Sequence, residues 1–207
     1  MIISHHGGEF VKITFGDTTI AFNPPSKDSD IKSSRFGCDI AFISINHPDM
    51  DGVSQVSRGG KEPFVIRGPG EYEVASVTVA GHPSASSYGG KERLNTAFVV
   101  DFDDMTILYL GALVDEKLPA AITEELEDID ILFVPIGGEG TLGPREAAKL
   151  TVALEPRVVI PILCDDKEAL KTFLKEYGEE GVKPAEKLTI KAKEAAAMEG
   201  AVVVLSA

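Results

Sequence analysis

Positive charge is scarce in this chain. Its 20 Lys and Arg residues stand against 33 Asp and Glu, for a formal net charge of −13. So acidic a surface repels a phosphate backbone, and no Lys/Arg stripe gathers along the sequence, so nucleic-acid binding is not expected. Cysteine is scarce too: Cys38 and Cys164 are the only two in 207 residues, which is no disulfide framework. Cys38 reads as a buried, reduced thiol. Long apolar runs are missing. The longest, from Arg157 to Cys164, is strand-sized, well short of the roughly 20 residues that cross a bilayer, so no membrane partner is expected. The opening Met1-Ile2-Ile3-Ser4-His5-His6 has neither a basic segment nor a signal-peptide core, and a cytoplasmic location is the expectation. No linker or low-complexity tract divides the chain, which reads as a single domain over 1–207.

The chain does have enough apolar material for a sizeable core, at 43% hydrophobic. The first half reads as short strands joined by turns. Ile2 to Ser4 and Phe10 to Phe15 alternate, and Gly16-Asp17 turns the chain into Thr18 to Phe22. Ile40 to Ile45 is a buried strand, and Phe64 to Ile66 another. Gly81 to Arg93 reads as a long Ser/Gly loop of the kind that lines sites. Ala97 to Phe102 and Met105 to Leu110 form a hairpin across Asp103-Asp104. Helices gather in the second half. One starts at Gly143-Pro144, with Ala147, Leu150, Thr151 and Leu154 on one face. The next is capped by Asp165 and Glu168, carries Leu170, Phe173, Leu174 and Tyr177 inward, and stops at Gly178.

The buried Ile40 strand runs into the most informative stretch, Ser44-Ile45-Asn46-His47-Pro48-Asp49-Met50-Asp51-Gly52. Its His47 and Asp49 resemble two positions of the HxHxDH metal motif of metallo-β-lactamase-fold hydrolases. Further stretches carry the same resemblance in the same order: Gly68-Pro69-Gly70-Glu71-Tyr72, Gly89 to Thr96, Asp130 to Gly138, and Glu155 to Pro161. Together they are similar to the branch of that family around ascorbate-6-phosphate lactonase. The resemblance implies an α+β fold, a four-layer αββα sandwich of two mixed β-sheets flanked by helices. Family members that form oligomers make a homo-oligomer a further expectation.

The resemblance also implies where metal ligands would stand. The first motif places Ile45, His47, Asp49 and Met50 at four ligand positions. Ser86 stands where a third histidine is expected, Ala112 where a bridging aspartate follows Leu-Gly, and Leu163 where the last histidine follows Ile-Pro. Only His47 and Asp49 keep a ligand type, while a catalytic zinc ordinarily takes three protein ligands and water. Two readings follow. In the first, the metal site is lost, no cofactor is expected, and the scaffold binds a small molecule or a protein partner. In the second, His82, Asp51, Asp115 and Cys164 join His47 and Asp49 in a rebuilt site for zinc, manganese or iron. The protein would then be a divergent hydrolase of lactones, esters or phosphodiesters, with Asp49 as its candidate general base. A Ser84, Ser86 or Ser87 nucleophile with His82 lacks an oxyanion element. Gly137-Gly138-Glu139-Gly140 lacks the Gly-Lys-Ser/Thr ending of a phosphate loop.

Overall fold

Alternation of apolar and polar side chains opens the first sheet. The computed structural model describes residues 1–207 apart from the side chain of Glu125. Ile2–His5 forms β1, Val11–Phe15 β2 and Thr18–Phe22 β3, an antiparallel meander. Its inward residues are Ile3, Val11, Ile13, Ile20 and Phe22. β4 (Ile40–Ile43) joins β3 in parallel and is buried at all four positions, as expected for a strand covered on both faces. A short helix α1 (Val53–Val56) leads to the parallel edge strand β5 (Phe64–Arg67).

The second sheet begins with β6 (Gly70–Val74), β7 (Val77–Ser86), β8 (Arg93–Phe102) and β9 (Met105–Tyr109), all antiparallel. After α2 (Ala120–Glu125) the chain adds β10 (Ile131–Pro135), parallel to β9. Helix α3 (Pro144–Leu154) then leads to β11 (Val158–Ile162), parallel to β10, and to α4 (Lys167–Tyr177). The chain closes with β12 (Leu188–Thr189), which returns to β1, α5 (Ala192–Ala195), and β13 (Ala201–Val202) beside β11. The result is a six-stranded and a seven-stranded mixed sheet, face to face. Among the described residues no helix is long and apolar enough to cross a membrane.

Three apolar layers hold this together. Between the sheets, the Phe22 ring lies stacked against Phe42 and Tyr109, both at 4.4 Å between centroids. On the far side of the second sheet, Leu132, Val134 and Val159 meet Ala147, Leu150, Phe173 and Leu174 of α3 and α4. The far side of the first sheet is covered more thinly, by Val56 of α1 and by Phe36, against Phe10, Ala21, Cys38 and Ala41.

Two sequence expectations need correction. Gly81 to Ser86 is not loop but the second half of β7, paired with β8 as far as Ser86 opposite Arg93. β6 pairs with β7 only up to Gly81. Beyond that point β7 is an edge, which tolerates Pro83 without a lost ladder bond, so a Ser/Pro composition hides a strand. The cap of α4 is Asp166 rather than Asp165, its carboxylate accepting from the Glu168 amide at 2.9 Å. Gly178 ends that helix in the left-handed region, at φ 93°, as read from the sequence.

The stack at the sheet interface sets a stability expectation. Phe22→Ala should cost roughly 3–5 kcal/mol in urea unfolding, the usual range for emptying a buried aromatic site. Val152→Ala, at a position 57% exposed on α3, should stay within about 0.5 kcal/mol of the parent.

Candidate functional site

Loops from the ends of β4, β7, β10 and β11 meet around a cleft of about 840 Å³, lined among others by His47, Asp49, Tyr88, Glu139, Leu163 and Asp165. A second cavity, of about 660 Å³, lies at the opposite ends of β10 and β11 against Asp128, Arg157 and Tyr177. None of the candidate metal-ligand or catalytic residues lines that second cavity.

The cleft loop is a tight turn. The amides of Met50 and Asp51 both donate to the His47 carbonyl at 2.9 Å. Gly52 closes the turn against Pro24 and Pro25; a Cβ there would fall 2.2 Å from the Pro25 carbonyl oxygen. Only glycine fits such an approach. This curl sends the side chains in two directions. Ile45 and Met50 point inward and, with Ala112, form a small buried apolar cluster under Tyr88. His47 and Asp49 stay on the rim, each about four-fifths buried in its side chain.

Both rim residues are already engaged. The Asp49 carboxylate accepts from Ser29 Oγ at 2.6 Å and from the Tyr88 hydroxyl at 2.9 Å. The Asp49 amide donates to His47 Nδ1 at 3.2 Å, which makes that nitrogen an acceptor and leaves the proton of a neutral ring on Nε2. The His47 ring meets Tyr88 edge-on at 5.0 Å. Its Nε2 lies against Gly89, where a Cβ would come within 3.0 Å. Burial and the Asp49 charge push the Tyr88 phenol well above its ordinary range, so it remains a hydrogen-bond donor.

The remaining predicted residues lie elsewhere. Asp51 does not cap α1, whose N-cap is Gly52 without a side-chain bond; it forms an ion pair with Arg67. His82 sits half-buried in β7 opposite Ala97. Asp115 is exposed beyond β9. Cys164 packs on the helix-side core, its thiol pushed up to about 11 chiefly by burial. None of these four lines the cleft. Ser86 is buried, accepting from the Tyr88 amide at 3.1 Å and donating to the Gly140 carbonyl at 3.4 Å. Leu163 forms part of the cleft wall. Among the described residues no group of three or more His, Cys, Asp or Glu side chains converges to hold a metal ion. Two rim ligands beside a buried apolar cluster do not fit a divalent cation that needs three protein ligands.

The charge of the cleft is one-sided. Asp49, Glu139, Asp165 and Asp166 line it, with no Lys or Arg among the lining residues.

A buried polar network missed in the sequence lies on the other side of β4's exit. Glu9 is 1% exposed and accepts from Asn23 Nδ2 at 2.6 Å. The same amide group donates to Ser44 Oγ at 2.7 Å, and the Ser44 amide donates to Asn23 Oδ1 at 2.8 Å. The Tyr109 hydroxyl donates to the Glu9 carbonyl at 2.7 Å. Nothing about Gly8-Glu9-Phe10 in the sequence marks the carboxyl as buried. Burial drives the Glu9 carboxyl up to about 8, with the Asn23 and Tyr109 hydrogen bonds opposing part of the rise.

This network has a pH signature. Between about 4.5 and about 8 the native state keeps a proton on Glu9 that the unfolded chain has released. The contribution is therefore fully present below 4.5 and lost as pH rises through 8. Wild type should lose stability relative to Glu9→Gln across that window in chemical denaturation. A constant difference between the two would contradict the assignment.

Comparison with known proteins agrees with this fold. A family model described as a beta-lactamase superfamily domain matches residues 3–163. A UPF0173 metal-dependent hydrolase of Lysinibacillus sphaericus is 28% identical over 194 residues, covering 78% of this chain and 84% of that protein. Another from Natranaerobius thermophilus is 32% identical over 123 residues, 58% of this chain; the match spans about half of that relative's length, 53%. Among solved structures, a candidate zinc-dependent hydrolase of the metallo-β-lactamase superfamily from Thermotoga maritima superposes with a TM-score of 0.75 at 26% identity, covering 99% of this chain and 97% of that one.

Proposed function

The chain belongs to the beta-lactamase superfamily domain family, and from that premise we propose that it is a metallo-β-lactamase-fold protein whose cleft binds a ligand without metal-dependent hydrolysis. The observation that carries this reading is the buried cluster of Ile45, Met50 and Ala112 beneath the cleft. By the family resemblance these side chains stand at metal-ligand positions. An apolar cluster at those positions penalises a cation, and its one heteroatom, the Met50 thioether, is a poor ligand for zinc, manganese or iron. The surviving pair, His47 and Asp49, is spent on local bonds to Tyr88, Ser29 and the turn itself. The occupant is a small molecule or a segment of a protein partner. Four carboxylates along the cleft weigh against a polyanion such as nucleic acid.

A second reading rests on the names of the relatives, which are called metal-dependent hydrolases. In it, His47 and Asp49 anchor a rebuilt metal site, and the chain hydrolyses a lactone, ester or phosphodiester. That reading requires Tyr88 and Ser29 to release Asp49, and further ligands to move into the cleft.

The two readings separate in one experiment. The purified protein is incubated with zinc, manganese or iron, desalted, and its metal content measured by mass spectrometry beside a His47→Ala variant. Our reading expects no more metal in the wild type than in the variant. Retention of roughly one metal per chain, lost in His47→Ala together with hydrolysis of lactone, ester or phosphodiester probes, would establish the second.

A further inference from the structure

Glu9 is the most buried carboxyl with no cation beside it. It takes part in none of the ion pairs found among the described residues. Its Oε2 is held by Asn23, and its Oε1 is buried without a hydrogen-bond partner. An acid so placed is tolerated as the neutral form, because an ionised oxygen facing no donor has neither water nor protein to solvate it.

What the carboxyl touches gives it reach. Through Asn23 it is joined to Ser44, the residue from which the cleft loop hangs. The Ser44 carbonyl in turn accepts from the Thr96 amide of β8 at 2.9 Å, crossing from one sheet to the other. On its other side, the neighbouring Gly8 carbonyl accepts from the amide of Leu163, a cleft-wall residue, at 2.9 Å. Tyr109, on β9 of the opposite sheet, donates to Glu9's own carbonyl. Both walls of the cleft are thus tied to one turn between β1 and β2. That turn has little slack. Gly8 has φ +60°, and a Cβ there would fall 2.7 Å from Ile31 Cδ1.

We propose that Glu9 is a proton-controlled latch between the two sheets, which in its neutral form holds the Ser44–Gly52 loop and the Leu163 wall in place and in its ionised form lets both loosen. Ionisation is a simple loss of the carboxyl proton to solvent. It leaves a charge that must draw in water or donors, and the nearest bonds that can open to admit them are those to Asn23 and the Gly8 turn. The titratable groups around Glu9 are few. β9 presents Tyr109, whose hydroxyl stays protonated, pushed up by burial and by Glu9 itself. β1 presents His5, bonded through Nε2 to the Gly8 carbonyl at 3.0 Å. Tyr88, across the cleft, feels the Glu9 charge and also stays protonated. β3 and β4 present the neutral Asn23 and Ser44. No neighbour supplies a positive partner that would cancel the new charge.

The latch goes beyond the binding role proposed above and stands or falls separately, since it needs no ligand. Amide hydrogen exchange read by NMR tests it on the full chain. Once corrected for intrinsic exchange, protection of the Ser44, Thr96 and Leu163 amides should fall by about tenfold between about pH 7 and pH 9 in the wild type. In Glu9→Gln, which keeps the shape and never ionises, it should hold constant. Equal loss in both proteins, or none in either, overturns the latch. Should Glu9→Gln fail to fold, the carboxyl carbon of Glu9 in the wild type decides. An inflection near 8 shared with the three amides supports the latch, whereas an inflection below about 6, or amides that do not follow it, overturns it.

Discussion

The packing of Phe22 between Phe42 and Tyr109 is the contact on which the rest is hung. It locks β3 and β4 of one sheet to β9 of the other at ring separations of 4.4 Å and fixes the height of Tyr109 in the interface. The hydroxyl of Tyr109 then reaches out of the apolar layer to the Glu9 backbone. Asn23, one residue beyond Phe22, bonds Glu9 on one side and Ser44 on the other. Apolar packing therefore places a polar network, and the network places the loop that carries His47 and Asp49. Interior packing of this density transmits position rather than absorbing it.

From that loop outward the chemistry divides by depth. Behind Tyr88 lies a buried apolar cluster of Ile45, Met50 and Ala112, which does not itself line the cleft. The rim is polar and acidic, with Asp49 held by Ser29 and Tyr88 and with Glu139, Asp165 and Asp166 around it. The carboxylates give the cleft a negative potential that opposes anions. It also presents aromatic edges, from His47 and Tyr88, rather than a set of convergent lone pairs.

Much of the fold was legible in the sequence because its signals were local. Alternation marked β1 and β2, the Gly16-Asp17 turn marked β3, an uninterrupted apolar run marked β4, and Pro144 and Gly178 marked a helix start and a helix stop. The second half of β7 was not legible, because its ladder to β8 is formed by backbone and its composition is that of a loop. The site was legible in part. His47 and Asp49 are neighbours in the chain, and they do meet at the cleft rim. The four candidate replacement ligands lie near lost ligand positions in sequence, and that nearness does not survive folding: Asp51 is drawn to Arg67, and Cys164 to the helix-side core. Glu9 could not be found at all. A glutamate after two glycines reads as surface, and only the approach of Asn23, Ser44 and Tyr109 from distant strands makes it interior.

The proposed function requires that no metal settles between His47, Asp49 and the buried Ile45, Met50 and Ala112 cluster. The most direct measurement is an anomalous difference map at the zinc edge, from crystals of the protein grown in excess zinc. No ordered zinc is expected between His47, Asp49 and Ala112, and the Tyr88–Asp49 hydrogen bond is expected intact. An ordered zinc bound by His47 and Asp49, with Tyr88 displaced, would contradict the proposed function.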